Sequence, residues 1–476
     1  MFVDRESELA SLESAWRSER AELIVVYGRR RVGKTALLRV FCENRRSAFW
    51  VASLSSDAIL RQGFTDAIWQ TDHPEGESAG YSYESWERAF LALGGLAADR
   101  RLVVVMDEFP YLVNTDPSIP SVLQKVWDEH LQHTRLMLIL CGSHIGMMER
   151  ELLQYRAPLY GRRTGQIHLK PLPLRATTAL FPEFDAVQQI ETYAVLGGIP
   201  AYLAQWDSRQ PLLTNIEQRI LNPASYLYLE PQFLLREELQ EPRNYFALLQ
   251  AIAQGKSRLN EISQATGMER GPASRYLAIL QDLRLVERRV PVTERQPDKS
   301  RRGIYHLRDP FLAFWFRFVA PHFSTLEVGH TAPIARLVAA EMTQFTGPVF
   351  EDLCREWVAE QAARQRLPFL PERIGAWWNN EEEIDLVAAG EGALLVGECK
   401  WTNRPVGTNV LDDLKRKGHL LAVSEKSIGA ATSAGPKLHY ALFARSGFTP
   451  ALAAVARDEG VLPAGPNDLL AESPLI

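Results

Sequence analysis

A multidomain α/β chain is predicted by three observations. An apolar run, Leu23–Tyr27, leads directly into the loop Gly28-Arg29-Arg30-Arg31-Val32-Gly33-Lys34-Thr35, and the helical pattern Ala36–Cys42 follows it. A second buried-strand pattern begins at Arg101 and closes in two acids, Asp107 and Glu108. Far downstream, two strand-like runs, Glu383–Ala388 and Ala393–Lys400, are joined by a glycine turn at Gly390-Glu391-Gly392. A chain of 476 residues is too long for one core, and roughly three domains are expected from length.

The loop fits G-x-x-x-x-G-K-[ST] at every fixed position, in the strand–loop–helix setting that pattern needs. Backbone N–H groups of such a loop curl around a phosphate chain, helped by the positive end of the following helix. Lys34 is then expected to reach the β- and γ-phosphates, and the Thr35 hydroxyl to ligate Mg²⁺. The predicted ligand is ATP, cradled by Gly28, Arg29, Arg30, Arg31, Val32, Gly33, Lys34 and Thr35. The bland alternative is a glycine turn before a lysine, and the flanking strand argues against it.

Four or five apolar residues ending in Asp-Glu are expected of the strand beside a phosphate loop. Asp107 would hold the Mg²⁺ shell and Glu108 would orient and deprotonate the attacking water. A third run, Leu136–Ser143, ends in a polar residue where a γ-phosphate sensor would sit, although a plain strand and turn look the same. Arg162 and Arg163 could offer a cationic fork to developing phosphate charge, or form a solvated basic turn.

Phe2–Leu9, Gly28–Thr35, Val105–Glu108, Cys141–Ser143 and Tyr160–Arg163 together resemble the archaeal-type ATPase family, a branch of the AAA+/STAND P-loop proteins. The resemblance implies a Rossmann-like αβα core with Asp107 and Glu108 as its acid pair. It also implies that Phe2–Glu6 lies near the adenine and that Gly197-Gly198-Ile199-Pro200 belongs to a helical lid. No arginine stands beside that glycine–proline element, a departure from the AAA pattern.

Around Asn244 the pattern changes to short amphipathic helices: Tyr245–Ala253, Leu259–Gly267 and Gly271–Leu283. Strand-like Val286–Val292 and Gly303–Leu307 flank a charged tip, which makes a winged helix-turn-helix. Between Asn244 and Arg302 stand eleven Lys/Arg against six Asp/Glu, a local +5 in a chain of net charge −5. That contrast points to double-stranded DNA, with Ser274 and Arg275 in a major groove and the wing arginines on phosphate. A mechanical arm is the rival reading. The aromatic run Asp309–Phe318 is read as core.

In the tail, Glu398 and Lys400 are two apart and share a face, with Asp385 on the preceding strand. Two acids can share a divalent metal while a lysine orients water and steadies charge at a scissile phosphate. This constellation resembles the PD-(D/E)xK nuclease superfamily, with Ile384 where the motif's proline would be. The resemblance implies that Phe350–Trp357 is the preceding helix, that Glu351 is a helix-borne acid, and that Tyr440–Phe448 is a later strand. Mg²⁺ or Mn²⁺ is the implied metal, on Asp385 and Glu398. A surface hairpin with ordinary charges is the alternative.

The predicted architecture is therefore a P-loop αβα ATPase core (1–170), a helical lid (171–240), a winged helix-turn-helix (241–308), a helical connector (309–344) and a restriction-endonuclease-like α/β domain (345–476). The expected function is ATP hydrolysis coupled to DNA binding and metal-dependent DNA cleavage. The alternatives are a STAND-type switch controlling self-association into a homo-oligomer, with a non-catalytic tail, and a transcription regulator. Cys42, Cys141, Cys354 and Cys399 form no C-x-x-C pair, and with no apolar span they fit a cytoplasmic protein without a membrane partner.

Overall fold

Long apolar runs build the first sheet. Strands β1 (Glu22–Tyr27), β2 (Ser47–Val51), β3 (Leu102–Asp107), β4 (Leu136–Gly142) and β5 (Gly165–His168) pair in the order β2-β3-β4-β1-β5. β1 pairs parallel with β4 and β5, and β3 pairs parallel with β2 and β4. Because helices cover a parallel sheet on both faces, β1, β3 and β4 are buried at every position, which explains continuous apolar runs where a half-exposed strand would alternate. The strand bearing Asp107 was expected beside the loop strand. Instead β4 lies between β1 and β3, because parallel connections cross over and separate chain order from spatial order. The end of β4 is thereby inserted between the loop and the acid pair.

The computed structural model describes residues 3–73, 78–239, 241–390, 392–424 and 435–471. Phe2, expected near the adenine, and Glu391 of the tail hairpin turn lie outside these residues. The chain divides into two units: Met1–Leu172 with Ile199–Ala201, and Pro173–Gly198 with Tyr202–Ile476.

In the second unit, helix Ala186–Leu196 places Val187, Ile190 and Tyr193 on one face at helical spacing. That stripe joins the core formed by Phe350, Trp357, Leu386 and Phe443. Arg175 and Arg445 add ion pairs to Glu360 (2.9 Å) and Glu191 (3.1 Å). The segment expected as a lid thus shares its apolar core with the tail. The aromatic run is core, as expected, with Phe311, Phe314, Trp315, Phe316 and Phe318 all buried. Helix Thr331–Ala363 runs unbroken through residue 344, so the expected connector and tail share one continuous helix.

Helices Pro242–Ala253, Leu259–Thr266 and Arg270–Asp282 are followed by the antiparallel pair β6 (Val286–Arg289) and β7 (Ile304–Leu307). Ser274 and Arg275 are exposed on the third helix, with Lys256 and Arg258 exposed nearby in the chain. The wing is different. Arg288 donates to the carbonyls of Pro297 and Ser300, Arg289 pairs with Glu287 and Asp352, and Arg302 pairs with Glu294. These three arginines, expected on DNA phosphate, are instead engaged within the chain.

The tail sheet adds β8 (Arg373–Trp378), β9 (Glu383–Gly390), β10 (Ala393–Lys400), β11 (Lys437–Ala444) and β12 (Leu462–Ala464), in the order β12-β11-β10-β9-β8. It is mixed: β8, β9 and β10 run antiparallel, whereas β10, β11 and β12 run parallel. Among the described residues no helix is long and apolar enough to cross a membrane.

Candidate functional site

The loop after β1 is held by close approach and by backbone handedness. A Cβ at Gly28 would stand 2.2 Å from the Leu169 carbonyl oxygen, so only glycine fits. Gly33 sits at φ 97°, in the left-handed region, and opens helix Lys34–Cys42. A Gly28→Ala variant is expected to lose about 1–3 kcal/mol or more of stability, read as a lowered melting temperature.

Lys34 is nearly fully buried, and its Nζ donates to the carbonyls of Gly28 (2.9 Å) and Arg29 (3.0 Å). Burial pushes its ammonium below the ordinary range, against the nearby Cys141, Glu108 and Asp107. Arg30 donates to the Tyr111 hydroxyl at 2.8 Å, and Arg31 adopts φ 67°. Arg5 is a residue that the sequence reading did not single out. Its guanidinium donates to the carbonyls of Val32 (3.2 Å) and Lys170 (2.9 Å), clasping the loop from behind. Only its membership of the Phe2–Glu6 motif could have drawn attention to it.

The acids meet the loop where β3 ends. Asp107 is buried, and both its carboxylate oxygens are engaged: Oδ2 accepts from the Thr35 hydroxyl at 2.7 Å, and Oδ1 accepts from the Glu108 N–H at 2.9 Å. Glu108 adopts φ 53°, ψ 39°, a left-handed conformation uncommon outside glycine and concentrated at functional sites. Its Oε2 accepts from the Ser143 hydroxyl at 2.8 Å. Thr35, Asp107, Glu108 and Ser143 are therefore brought together, and β4 supplies Ser143 from its central place in the sheet. A hydroxyl and a carboxylate beside an amide-lined cradle form the hard-oxygen donor set that Mg²⁺ takes, so Thr35 and Asp107 fit that ion.

Arg162 and Arg163 are not brought to the loop. β5 runs parallel to β1 with Gly165 opposite Ile24, which puts both arginines before the amino end of β5, away from the loop that follows Tyr27. Arg162 forms a fork with Asp128 (3.1 and 2.9 Å), while Arg163 lies over the Tyr160 ring and donates to the Leu153 carbonyl. Arg162→Ala should leave ATP affinity unchanged and cost at most about 1 kcal/mol, checked by nucleotide titration and melting.

In the second unit, Leu386 lies opposite Gly397 in the β9–β10 register, and the next step brings Asp385 alongside Glu398. Asp385 Oδ2 accepts from the Cys399 N–H at 2.8 Å. Burial and the Glu398 charge raise its carboxyl above the usual range, against the Cys399 N–H and Lys400. Glu351, on the long helix, is raised too, by burial and then by Asp385. Lys400 Nζ donates to Glu398 Oε1 at 2.5 Å. Burial alone would lower this ammonium, but the bond to Glu398 holds it above its ordinary range.

The four predicted residues thus sense one another. Lys417, from helix Thr408–Ser424, was not foreseen and stands 3.9 Å from Glu398 Oε2. Its sequence neighbourhood is an ordinary run of charges, so only the packing of that helix identifies it. Crowded carboxylate oxygens whose mutual repulsion a cation would relieve fit a divalent ion in donor chemistry. Among the described residues, however, no group of three or more His, Cys, Asp or Glu is arranged to hold one.

A parallel sheet with an amide-lined phosphate loop after β1 and an acid pair closing β3 defines a P-loop ATPase core. Residues 2–206 match the family described as an ATPase domain predominantly from Archaea, residues 243–290 an IclR helix-turn-helix domain, and residues 315–415 archaeal and bacterial proteins of unknown function. The chain is 35% identical over 431 residues to the uncharacterized protein MJECL04 of Methanocaldococcus jannaschii, covering 89% of this chain and 93% of that one. It belongs to one family with that relative and carries, over residues 2–206, an archaeal-type ATPase domain. A shorter similarity, 54% over 46 residues, links it to an uncharacterized ATP-binding protein, MJ0423, of the same organism, covering 10% of this chain and 78% of that one. Among solved structures, the Walker-type ATPase PABY2304 of Pyrococcus abyssi aligns at TM-score 0.49 and 22% identity, covering 66% of this chain and 96% of that one.

Proposed function

We propose that this chain hydrolyses ATP at the Gly28–Thr35 loop and uses the nucleotide state to govern engagement of double-stranded DNA in a cytoplasmic setting. The observation that carries the reading is the continuous set of contacts Thr35–Asp107–Glu108–Ser143 at the carboxyl ends of β3 and β4. Bound Mg²⁺ would neutralise charge on the β- and γ-phosphate oxygens next to Thr35 and Asp107. Lys34 exchanges its two carbonyl partners for phosphate oxygens. Glu108 orients water in line with the γ-phosphate, and Ser143 holds the Glu108 carboxylate in place. Calorimetric titration with ATP tests this: binding should be present in the wild type and lost in Lys34→Ala.

DNA engagement is assigned to the exposed Ser274 and Arg275 of the third helix. Binding to random duplex should weaken steeply with salt, and Arg275→Ala should weaken it across sequences. For the tail we infer metal-dependent strand cleavage at Glu351, Asp385, Glu398 and Lys400. A divalent ion there would act as a Lewis acid on the scissile phosphate, while Lys400 orients water and offsets developing charge. Plasmid nicking with Mg²⁺ or Mn²⁺ that vanishes in Lys400→Ala supports this. One observation favours the non-nucleolytic switch: Glu398 is bonded to Lys400 and also faces Lys417, so its charge is already offset. Intact plasmid under every nucleotide condition would select that second reading.

A further inference from the structure

The winged helix-turn-helix and the acidic site are joined by two separate routes inside the second unit. The first runs to backbone carbonyls of β8 and of the wing. After β6 the chain docks against β8, where the Val292 N–H donates to the Ala376 carbonyl at 2.9 Å. Arg302 Nη1 donates to the Trp378 carbonyl, and Trp378 Nε1 donates to the Arg302 carbonyl, each at 3.3 Å. β8 pairs antiparallel with β9, the strand of Asp385, with Trp377 opposite Ile384.

The second route is a chain of side chains. Arg289, on β6, donates to Asp352 Oδ2 at 2.8 Å. The other Asp352 oxygen accepts from Arg355, one turn along the long helix. A second nitrogen of Arg355 donates to the main-chain carbonyl of Asp385 and stands 3.7 Å from Glu351 Oε2. Arg355 therefore touches both the helix-borne acid and the strand-borne acid, and Asp352 ties it to the wing.

We infer that Asp352 and Arg355 are positioning residues for the acidic site, and that Arg289 makes its geometry depend on the winged helix, so that duplex DNA and a divalent ion bind with coupled free energies. This rests on the reading above that the third helix takes duplex DNA and the acidic site a metal.

The full-length chain is titrated with Mn²⁺ by calorimetry, with and without a random-sequence duplex, and then with duplex in the presence and absence of Mn²⁺. The part of the Mn²⁺ signal removed by Asp385→Asn belongs to the acidic site. Duplex should tighten that part by about 5- to 150-fold, and Mn²⁺ should tighten duplex binding by the same factor. Arg289→Ala should bring both factors close to one while each ligand still binds singly, and Arg289→Lys should restore part of the effect. If Arg289→Ala fails to give a cooperative melt, Asp352→Asn removes the same bridge at nearly constant shape and is read identically. Independent binding in the wild type, or coupling that survives these variants, overturns this inference and leaves the functional reading standing. A wild type that takes neither ligand overturns both.

Discussion

Replacing Glu108 with glutamine is expected to slow ATP turnover by about 10²- to 10⁴-fold while nucleotide binding persists. The variant keeps volume and hydrogen-bonding reach, so the left-handed backbone at φ 53° and the contact from Ser143 can remain. What it removes is the negative charge proposed to polarise water and accept its proton. Lys34 and the loop backbone, to which phosphate binding is assigned above, are untouched. Phosphate release under saturating ATP, set beside calorimetric affinity, separates the two effects. Turnover close to wild type would show that Glu108 is not the water-orienting base.

Asp385→Asn is expected to abolish the strand cleavage proposed for the tail and to make the metal-free fold more stable. Burial and the Glu398 charge raise the Asp385 carboxyl in the folded chain above its unfolded value. Well below the unfolded value the group is protonated in both states and carries no penalty. As pH rises through the folded value, the folded chain must hold a buried, repelled charge, and the penalty is complete above it. An amide never bears that charge and can still accept the Cys399 N–H bond. The gain should therefore be on the order of 2 kcal/mol near pH 8 and fade on acidification, read as the difference in melting between variant and wild type. Equal stability at both ends of that range would mean that the carboxylate is not strained by its surroundings.

His306 gives the opposite sign. Burial, and then the Arg289 charge, depress its imidazole to about 4, so the folded chain keeps it neutral. The stability it contributes is present above its unfolded value near 6.5 and is lost as pH falls toward 4. His306→Gln should flatten the acid limb of the stability profile, measured by denaturant unfolding across that window.

Much of the nucleotide unit is legible in the chain because its signals are local. The run Leu23–Tyr27, the glycines at Gly28 and Gly33 and the acids after Met106 each state their conformation within a few residues, and β1, β3 and β4 have no exposed position to blur their apolar runs. The tail hairpin is legible for a related reason: a period of two puts Glu398 and Lys400 on one face whatever surrounds them. The place of β4 between β1 and β3 is not local, and neither is the partner of Arg162. Asp128 lies 34 residues away, and an arginine fork looks the same in sequence whether it meets phosphate or carboxylate. Arg288, Arg289 and Arg302 of the wing were misplaced for the same reason, since excess positive charge predicts an affinity for anions without saying which anions are nearest.

The order of amino acids alone determined the glycine loop after β1, the three short amphipathic helices, and the acid–lysine pair on one strand, because each depends on covalent spacing and backbone handedness. Only tertiary packing decided that helix Ala186–Leu196 shares its core with the tail, that Arg5 and Lys417 reach the two sites, and that Arg289, Asp352 and Arg355 link the wing to the acids. Those outcomes depend on which apolar faces find one another across long stretches of chain, and on charges then pairing with whatever neighbour that burial supplies.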